Sequence, residues 1–400
     1  MNKPELCLFT SVYPYGKGEP FIENELNIHS NHFSVIYLFH TFKKDDVREV
    51  PQNVKLIYID PPDKKSKAKY LFQNILLILK LSLTEALYSR QRSLFMSDLR
   101  YNLTNIINSI YYSDKIKSSL DPKILSNAYF YSYWFSNWNF SLSILKTKKI
   151  INHNFTRAHG FDVFENNGKP NYLASRQFCL KNTDKVFTVS KMAKNYLKTM
   201  YPKYASKISC YYLGTKDYGI NPMPLIHTPI HIVSCSSLVL VKRIHLIIEL
   251  LKLSKEKIIW THIGDGNLKD ELVEASKLLP DNCIVNFLGN LKPIQVFNFY
   301  KTEPVDLFIN CSISEGLPVS IMEAISYGIP IIATNVGGTG EIVTPETGFL
   351  IAEEVDLKYT VGLIENIRKN CSLKREEVKL FWQNNFNADI NYPSFVNNEF

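Results

Sequence analysis

Apolar runs of strand length recur through the chain, each followed by polar turn residues and many by a longer stretch of helical composition. Leu6 to Val12, Val35 to Phe39, Val54 to Ile59, Lys148 to Asn152, Asp184 to Ser190, Ile230 to Ser234, Ile258 to Ile263, Cys283 to Leu288, Val305 to Asn310 and Ile331 to Thr334 read as strands. Phe21 to about Asn31, Tyr70 to Ser89, Asp98 to Leu120, Lys191 to Thr199 and a segment from Ile244 read as helices, with Ser190 placed to cap the fourth. Strand, loop and helix in repeating order predict an α/β protein with doubly wound sheets, whose ligands sit beyond the carboxyl ends of the strands. Asp217 to Pro229 (DYGINPMPLIHTP) is proline-rich and has neither period, which puts a domain boundary near residue 222.

The unit from Val305 to Val343 is the most explicit. Its loop, Cys311 to Leu317, carries Ser314, Glu315 and Gly316, and Pro318 stands where a first helical residue tolerates proline. Ile321, Ala324 and Ile325 give the following helix an apolar face, Gly328 ends it, and Pro330 precedes the next strand. The spacing of Glu315 and Glu323 puts one acid in the loop and the other about one and a half turns inside the helix. Both can then face one ligand. The helix N-terminus over Gly316, Leu317, Pro318, Val319 and Ser320 offers backbone N–H groups and a positive dipole end to a diphosphate, while Glu323 can accept both hydroxyls of a ribose. On spacing alone a capping acid and a solvated helix face are the commoner outcome. The flanking residues change that judgement: SEGLPVSIMEAISYGIPIIATNVGGTGEIV resembles the E-x7-E signature of glycosyltransferase family 4, the retaining enzymes of GT-B fold.

Other loops extend the resemblance. Lys242 and Arg243 open the helix from Ile244, where cations oppose the helix dipole; a bound diphosphate accounts for them better than stability does, a solvated basic pair being the plainer account. The family commonly has an Arg five residues before this Lys, and Ser237 stands there instead, leaving Arg243 as the candidate second phosphate contact. Gly264-Asp265-Gly266 (IGDG) matches a family loop and lacks the third glycine of a dinucleotide fingerprint. Gly289-Asn290-Leu291 occupies the position where relatives hold the nucleobase, with the Leu291 backbone as the contact. Gly337, Gly338 and Glu341 complete the motif. In the first half, Gly16 and Gly18 in YPYGKGEP can let backbone approach a sugar or phosphate, although G-x-G in a loop is usually only a turn. A lone histidine is most often structural, but RAHGFDVF resembles the H-G-x-D loop that faces the donor sugar in the family, which makes His159, and after it Asp162, contacts of the transferred sugar.

Composition sets the bounds. Four hundred residues, 45% of them hydrophobic, suffice for two cores. Cys7, Cys179, Cys210, Cys235, Cys283, Cys311 and Cys371 are odd in number and scattered, which points away from a disulfide framework or zinc site and toward a reducing compartment. The N-terminal residues lack the apolar core of a signal peptide and no run is long enough to span a bilayer, so a cytoplasmic location is expected. Residues 1–220 hold 31 Lys and Arg against 17 Asp and Glu; residues 221–400 hold 15 against 21. A basic first half is either a solvated surface or an attraction to an anionic membrane face or phosphorylated acceptor. Lys64, Lys65, Lys67 and Lys69 lead into Tyr70 to Ser89, which reads as a buried helix or as an interfacial one with a basic leader. The aromatic run Tyr129 to Phe140 has almost no interleaved Arg or Lys, so it reads as core and domain-cleft wall and not as a nucleic-acid platform.

The resemblance therefore implies two Rossmann-like doubly wound domains facing across a cleft: residues 1–222 for the acceptor, residues 223–377 for the nucleotide sugar, and a closing helical segment, residues 378–400, that crosses back to the first. It implies a hexosyl transfer from a UDP- or GDP-linked donor to an acceptor hydroxyl of a glycan or lipid-linked glycan, in surface polysaccharide synthesis. Glu315, His159 and Lys242 are the expected catalytic residues. Gly16, Gly18, Arg243, Gly264, Leu291, Gly316, Leu317, Pro318, Val319 and Glu323 are the expected donor contacts. No Asp-x-Asp occurs, so no metal and no cofactor are expected. A same-fold sugar epimerase or phosphorylase, or a non-catalytic partner of an active transferase, are the rival readings.

Overall fold

The computed structural model describes residues 3–400 except 17, 20, 45, 89–98, 166–172, 174, 226 and 369–372. It resolves into two units, Met1–Tyr211 with Tyr392–Phe400, and Tyr212–Asn391. The proline-rich stretch Asp217 to Pro229 thus belongs to the second unit, where Asn221 is tied down: its amide donates to the carbonyls of Tyr300 and Glu303, and its N–H to that of Tyr327.

The first unit is a seven-stranded sheet of β1 (Glu5–Phe9), β2 (Val35–His40), β3 (Val54–Tyr58), β4 (Tyr129–Ser132), β5 (His153–Ala158), β6 (Lys185–Thr188) and β7 (Ile208–Cys210), in the order β3-β2-β1-β4-β5-β6-β7. All neighbours pair in parallel. Helices cover both faces, and one layer of the core contains Leu6, Leu8, Ile22, Leu26, Tyr131 and Phe187 with Phe395 and Val396 from the chain's end. The second unit repeats the plan with six parallel strands: β8 (Ile230–Cys235), β9 (Ile258–Ile263), β10 (Cys283–Phe287), β11 (Leu307–Asn310), β12 (Ile331–Thr334) and β13 (Gly348–Ile351), in the order β10-β9-β8-β11-β12-β13. In each sheet the order reverses beside the first strand, between β1 and β4 and between β8 and β11. Crossovers leave in opposite directions at such a point, so a crevice opens outside the strand ends there.

Several expectations change. Lys148 to Asn152 is not a strand: Lys148 caps the helix Asn137–Thr147, Lys149 has φ +56°, and the strand begins one residue later as β5. Tyr70 to Ser89 is not one helix but two, Lys64–Gln73 and Ile75–Tyr88, broken at Asn74; Ser89 lies outside the described residues, as do Asp98 and Cys371. The lysines form no leader. They are helical, because Asp63 accepts the Ser66 N–H at 2.8 Å and caps the turn that contains them. Leu6 to Val12 stops pairing at Phe9, since the N–H groups of Ser11, Val12 and Tyr13 turn to the Glu19 carboxylate. Pro318 is the N-cap and not the first helical residue; the helix is Val319–Ser326. Ser190 does cap its helix, accepting from Ala193 N–H at 3.1 Å.

Candidate active site

In the second unit the reversal between β8 and β11 brings two of the expected residues into contact. The chain leaves β8 through Ser236 to Val239, makes a short 3-10 turn at Leu240–Lys242, and enters the helix Ile244–Leu253. The chain leaving β11 turns at Ser312, whose N–H is held at 2.9 Å by the Asn310 side chain. Lys242 Nζ donates to Glu315 Oε1 at 2.7 Å, and Asn310 Nδ2 donates to the same oxygen at 3.1 Å. Asn310 carries no motif signal; its place as last residue of a strand was the only hint. Lys242 keeps about a quarter of its side-chain surface exposed and Glu315 a tenth, so the pair stands at the rim of the unit.

Arg243 is engaged elsewhere. Its guanidinium donates to the carbonyls of Cys311 at 2.6 Å, Ser312 at 3.2 Å and Glu353 at 2.8 Å, and its backbone is left-handed at φ +47°. It braces the Glu315 loop from behind, so the structure does not offer it as a second phosphate contact. Ser237 is exposed, with its carbonyl taken by Val239 N–H.

Glycine is required where the loops cross. Gly337 has φ +54°, and a Cβ there would lie 1.7 Å from the Glu315 carbonyl oxygen; next to it Gly338 N–H donates to the Gly316 carbonyl at 2.9 Å. Gly264 has φ +143°, and a Cβ there would lie 1.8 Å from the Ser236 carbonyl oxygen; it bridges Gly289 so that the loops after β9 and β10 lie side by side. Leu291 follows in that second loop, half-buried. Beneath them His262, also unforeseen, is buried between Ser234 Oγ at 2.8 Å and Ser236 O at 3.1 Å, and burial lowers its pKa to about 4. Gly337→Ala is expected to destabilise the second unit by about 1–3 kcal/mol from backbone strain alone. Urea unfolding identical to wild type would show that the Glu315 loop does not depend on this approach.

Gly316 and Leu317 precede the Pro318 cap, and the first bond of the helix comes from Ile321 N–H to Pro318 O, so the Val319 and Ser320 N–H groups belong to the open turn. One turn further, Glu323 is half-buried and its carboxyl has no hydrogen-bond or ion-pair partner among the described residues. Burial raises that carboxyl to about 7. Cys235, at the end of β8, lies within the fields of both Glu323 and Lys242; burial pushes its thiol up to about 12, Glu323 adding to the rise and Lys242 opposing it. Tyr212 donates to Glu341 at 2.7 Å, which accounts for the last acid of the motif inside the protein. Among the described residues no three His, Cys, Asp or Glu side chains cluster as metal ligands.

The first unit has its own constellation at the ends of β1, β4 and β5. Glu19, with φ +56°, gathers the N–H groups of Ser11, Val12 and Tyr13 at 2.7 to 3.1 Å and the Trp134 indole N–H. Arg48 donates to the carbonyls of Gly16 at 2.9 Å and Gly18 at 3.0 Å, fixing that turn; residues 17 and 20 between and after them lie outside the described residues. A Cβ at Gly16 or Gly18 would crowd Phe42 or Val12, so both glycines serve packing here. His159 sits among rings, 4.3 Å from Trp134 and 5.2 Å from Tyr133 by centroid. Asp162 accepts the backbone N–H groups of His159 at 2.7 Å and Phe135 at 2.9 Å; burial would raise its pKa, but these contacts and the nearby imidazole hold it below the usual carboxylate range. The imidazole Nδ1 is 3.8 Å from Asp162, within ion-pair range but beyond hydrogen-bond reach, and neither ring nitrogen has a hydrogen-bond partner among the described residues. Asp162 is thus a holder of the loop and not a free acid.

Two parallel doubly wound units of this kind are the GT-B fold, and structural neighbours agree. The chain aligns over 98% of its length, and 98% of the other, with a lipopolysaccharide outer core galactosyltransferase, WaaB, at TM-score 0.67 and 17% identity. It aligns with Anabaena HepE in complex with UDP and glucose at TM-score 0.63 and 14% identity, over 99% of both chains. Residues 221–378 match the family model of glycosyl transferases group 1. Among curated proteins, the O-antigen biosynthesis glycosyltransferase WbnH of Escherichia coli is 33% identical over 124 residues, 30% of this chain and 34% of that one. Alignments with the first curated relatives span from 23% to 51% of their length.

Proposed function

We propose that the chain is a retaining glycosyltransferase that moves a hexose from a UDP- or GDP-linked donor to a hydroxyl of a glycan or lipid-linked glycan, in the synthesis of a bacterial-type surface polysaccharide. The carrying observation is the pairing of Lys242 with Glu315 at the strand-order reversal, with the unpartnered Glu323 carboxyl on the helix that follows. Relatives named for O-antigen biosynthesis, and a neighbour that holds UDP and glucose, support the same reading.

Transfer breaks the bond between the anomeric carbon and the diphosphate oxygen and forms one to the acceptor oxygen. Negative charge grows on the departing diphosphate while the sugar becomes oxocarbenium-like. The Lys242 ammonium and the N–H groups at Val319 and Ser320 answer the first change, and no metal is needed for it. Glu315 aims the ammonium and Asn310 fixes Glu315. Glu323 takes the ribose hydroxyls. Scattered free thiols suit a cytoplasmic setting.

A thermal-shift panel of nucleotide sugars tests the reading, because a ligand at about 100 times its dissociation constant adds ~2.7 kcal/mol of stability. No stabilisation by any UDP- or GDP-sugar would sink it. Glu323→Ala is expected to weaken binding of the stabilising nucleoside diphosphate by about 1–3 kcal/mol with the fold intact. The pH dependence carries a sign. Hydroxyl donors favour the ionised carboxylate, whose pKa is raised to about 7 without them, so wild-type affinity should rise with pH through that value. Titration calorimetry in which Glu323→Ala keeps the whole of that rise would remove Glu323 from the ribose.

A further inference from the structure

The helix Ile75–Tyr88 in the first unit has two faces of the same chemistry and opposite fate. Ile78 and Leu81 point inward and are buried in a core cluster with Ile106, Ile110 and Phe140. Leu76, Leu79 and Leu83, three and four residues apart on the other side, are 80%, 57% and 60% exposed, and Phe72 at the end of the preceding helix is 80% exposed beside them. Isolated exposed leucines are ordinary on protein surfaces; a continuous stripe of this kind marks an interaction face. Lys64, Lys65 and Lys69 on the preceding helix and Lys80 on this one are exposed, and after the exposed cap Asp63 the next acid in sequence is Glu85, which is buried.

Apolar side chains on one helix face with cations flanking them are the requirements of a surface that lies in the plane of an anionic bilayer. No helix among the described residues is long and apolar enough to cross a membrane. Fourteen residues at about 1.5 Å each reach only ~21 Å, less than the hydrocarbon thickness. We infer that the outer face of Lys64–Gln73 and Ile75–Tyr88 docks the first unit on an anionic lipid surface, with Phe72, Leu76, Leu79 and Leu83 entering the headgroup boundary and the four lysines meeting lipid phosphate. Charge complementarity selects this occupant over an apolar protein partner, since the two helices carry four exposed lysines, against which stand the exposed cap Asp63 and, on the helix packed behind them, Asp114 beside Tyr70. The inference stands apart from the transfer chemistry and does not depend on it.

The test is sedimentation of the full chain with vesicles of phosphatidylcholine containing about 30% phosphatidylglycerol, against vesicles of phosphatidylcholine alone. Wild type should bind the first, bind the second at least tenfold less, and be released at high salt, because exposed charges are screened within about 8 Å already at physiological ionic strength. Leu76→Glu with Leu83→Glu should lower binding roughly tenfold or more with unchanged melting temperature, both positions being solvent-exposed. Replacing the four lysines by Gln should do the same, since each contributes about a fivefold preference near an anionic surface. Equal binding to both vesicle types, or full binding by the double Glu variant, would overturn the proposal. So would a wild-type dimer that the double Glu variant converts to monomer without any vesicle binding, which would make the stripe a contact between copies of this chain.

Discussion

Lys242→Ala should lower the rate of sugar transfer by about 10²–10³-fold while nucleoside diphosphate affinity falls less than tenfold, the pattern of a group that meets charge developed mainly in the transition state. The structure makes the split sharp because Lys242 is held at 2.7 Å by Glu315, which Asn310 holds in turn. A fixed ammonium needs no reorganisation when charge appears on the diphosphate, whereas a mobile one would act on bound and reacting states alike. Arg243 is poorly placed to substitute, since three of its five N–H donors hold backbone carbonyls and anchor it there. Lys242→Ala leaves the mostly buried Glu315 carboxylate without its cation, so a melting temperature measured beside the rate separates lost transfer from lost fold. Lys242→Arg should restore little, because a planar guanidinium cannot take the place of a compact ammonium against Glu315. Single-turnover rates at saturating donor decide the matter: a wild-type rate in Lys242→Ala would make Lys242 a surface charge with no part in the transfer.

What could be read from the sequence was local. The strand at Ile331, the Ser190 cap and the left-handed Gly328 after its helix follow from neighbours within a few residues, and the structure has each of them. The alternation of strands and helices was enough for two doubly wound sheets. The failures share a cause as well. Arg243 looked available because its partners, Cys311, Ser312 and Glu353, are 68 to 110 residues away. Lys148 to Asn152 looked like a strand because apolar character was weighed without the left-handed turn at Lys149 that ends the preceding helix. Glu19 drew no notice as one acid in a turn, yet it collects three backbone N–H groups and an indole 115 residues distant. Charges whose partners are remote in sequence give no periodic signal, and those are the residues that shape both constellations.

Arg157→Ala is the second large effect, expected to destabilise the first unit by about 3–5 kcal/mol, a substantial part of an ordinary domain's stability. Arg157 reads as a polar residue opening a loop, but it lies fully buried in β5, paired with Glu25 and stacked 4.7 Å over the Phe395 ring. Glu25 also accepts from Tyr131 and Tyr133 at 3.0 Å and sits 3.1 Å from His29. Burial alone would raise the Glu25 carboxyl; Arg157, with His29 and Tyr133, outweighs it and brings the value down to about 2. A depressed carboxylate contributes stability that is present above its unfolded value, near 4.3, and is lost as pH falls toward about 2. The gap between wild type and Arg157→Ala should therefore be full at neutral pH and close across that window. The effect reaches the candidate site, because Tyr133 bonds Glu25 on one side and packs 5.2 Å from the His159 ring on the other. Hydrogen exchange of the β4, β5 and β6 amides reports this unit by itself. Protection in Arg157→Ala equal to wild type at neutral pH would mean that the buried pair contributes nothing net, and that His159 is held by its aromatic neighbours alone.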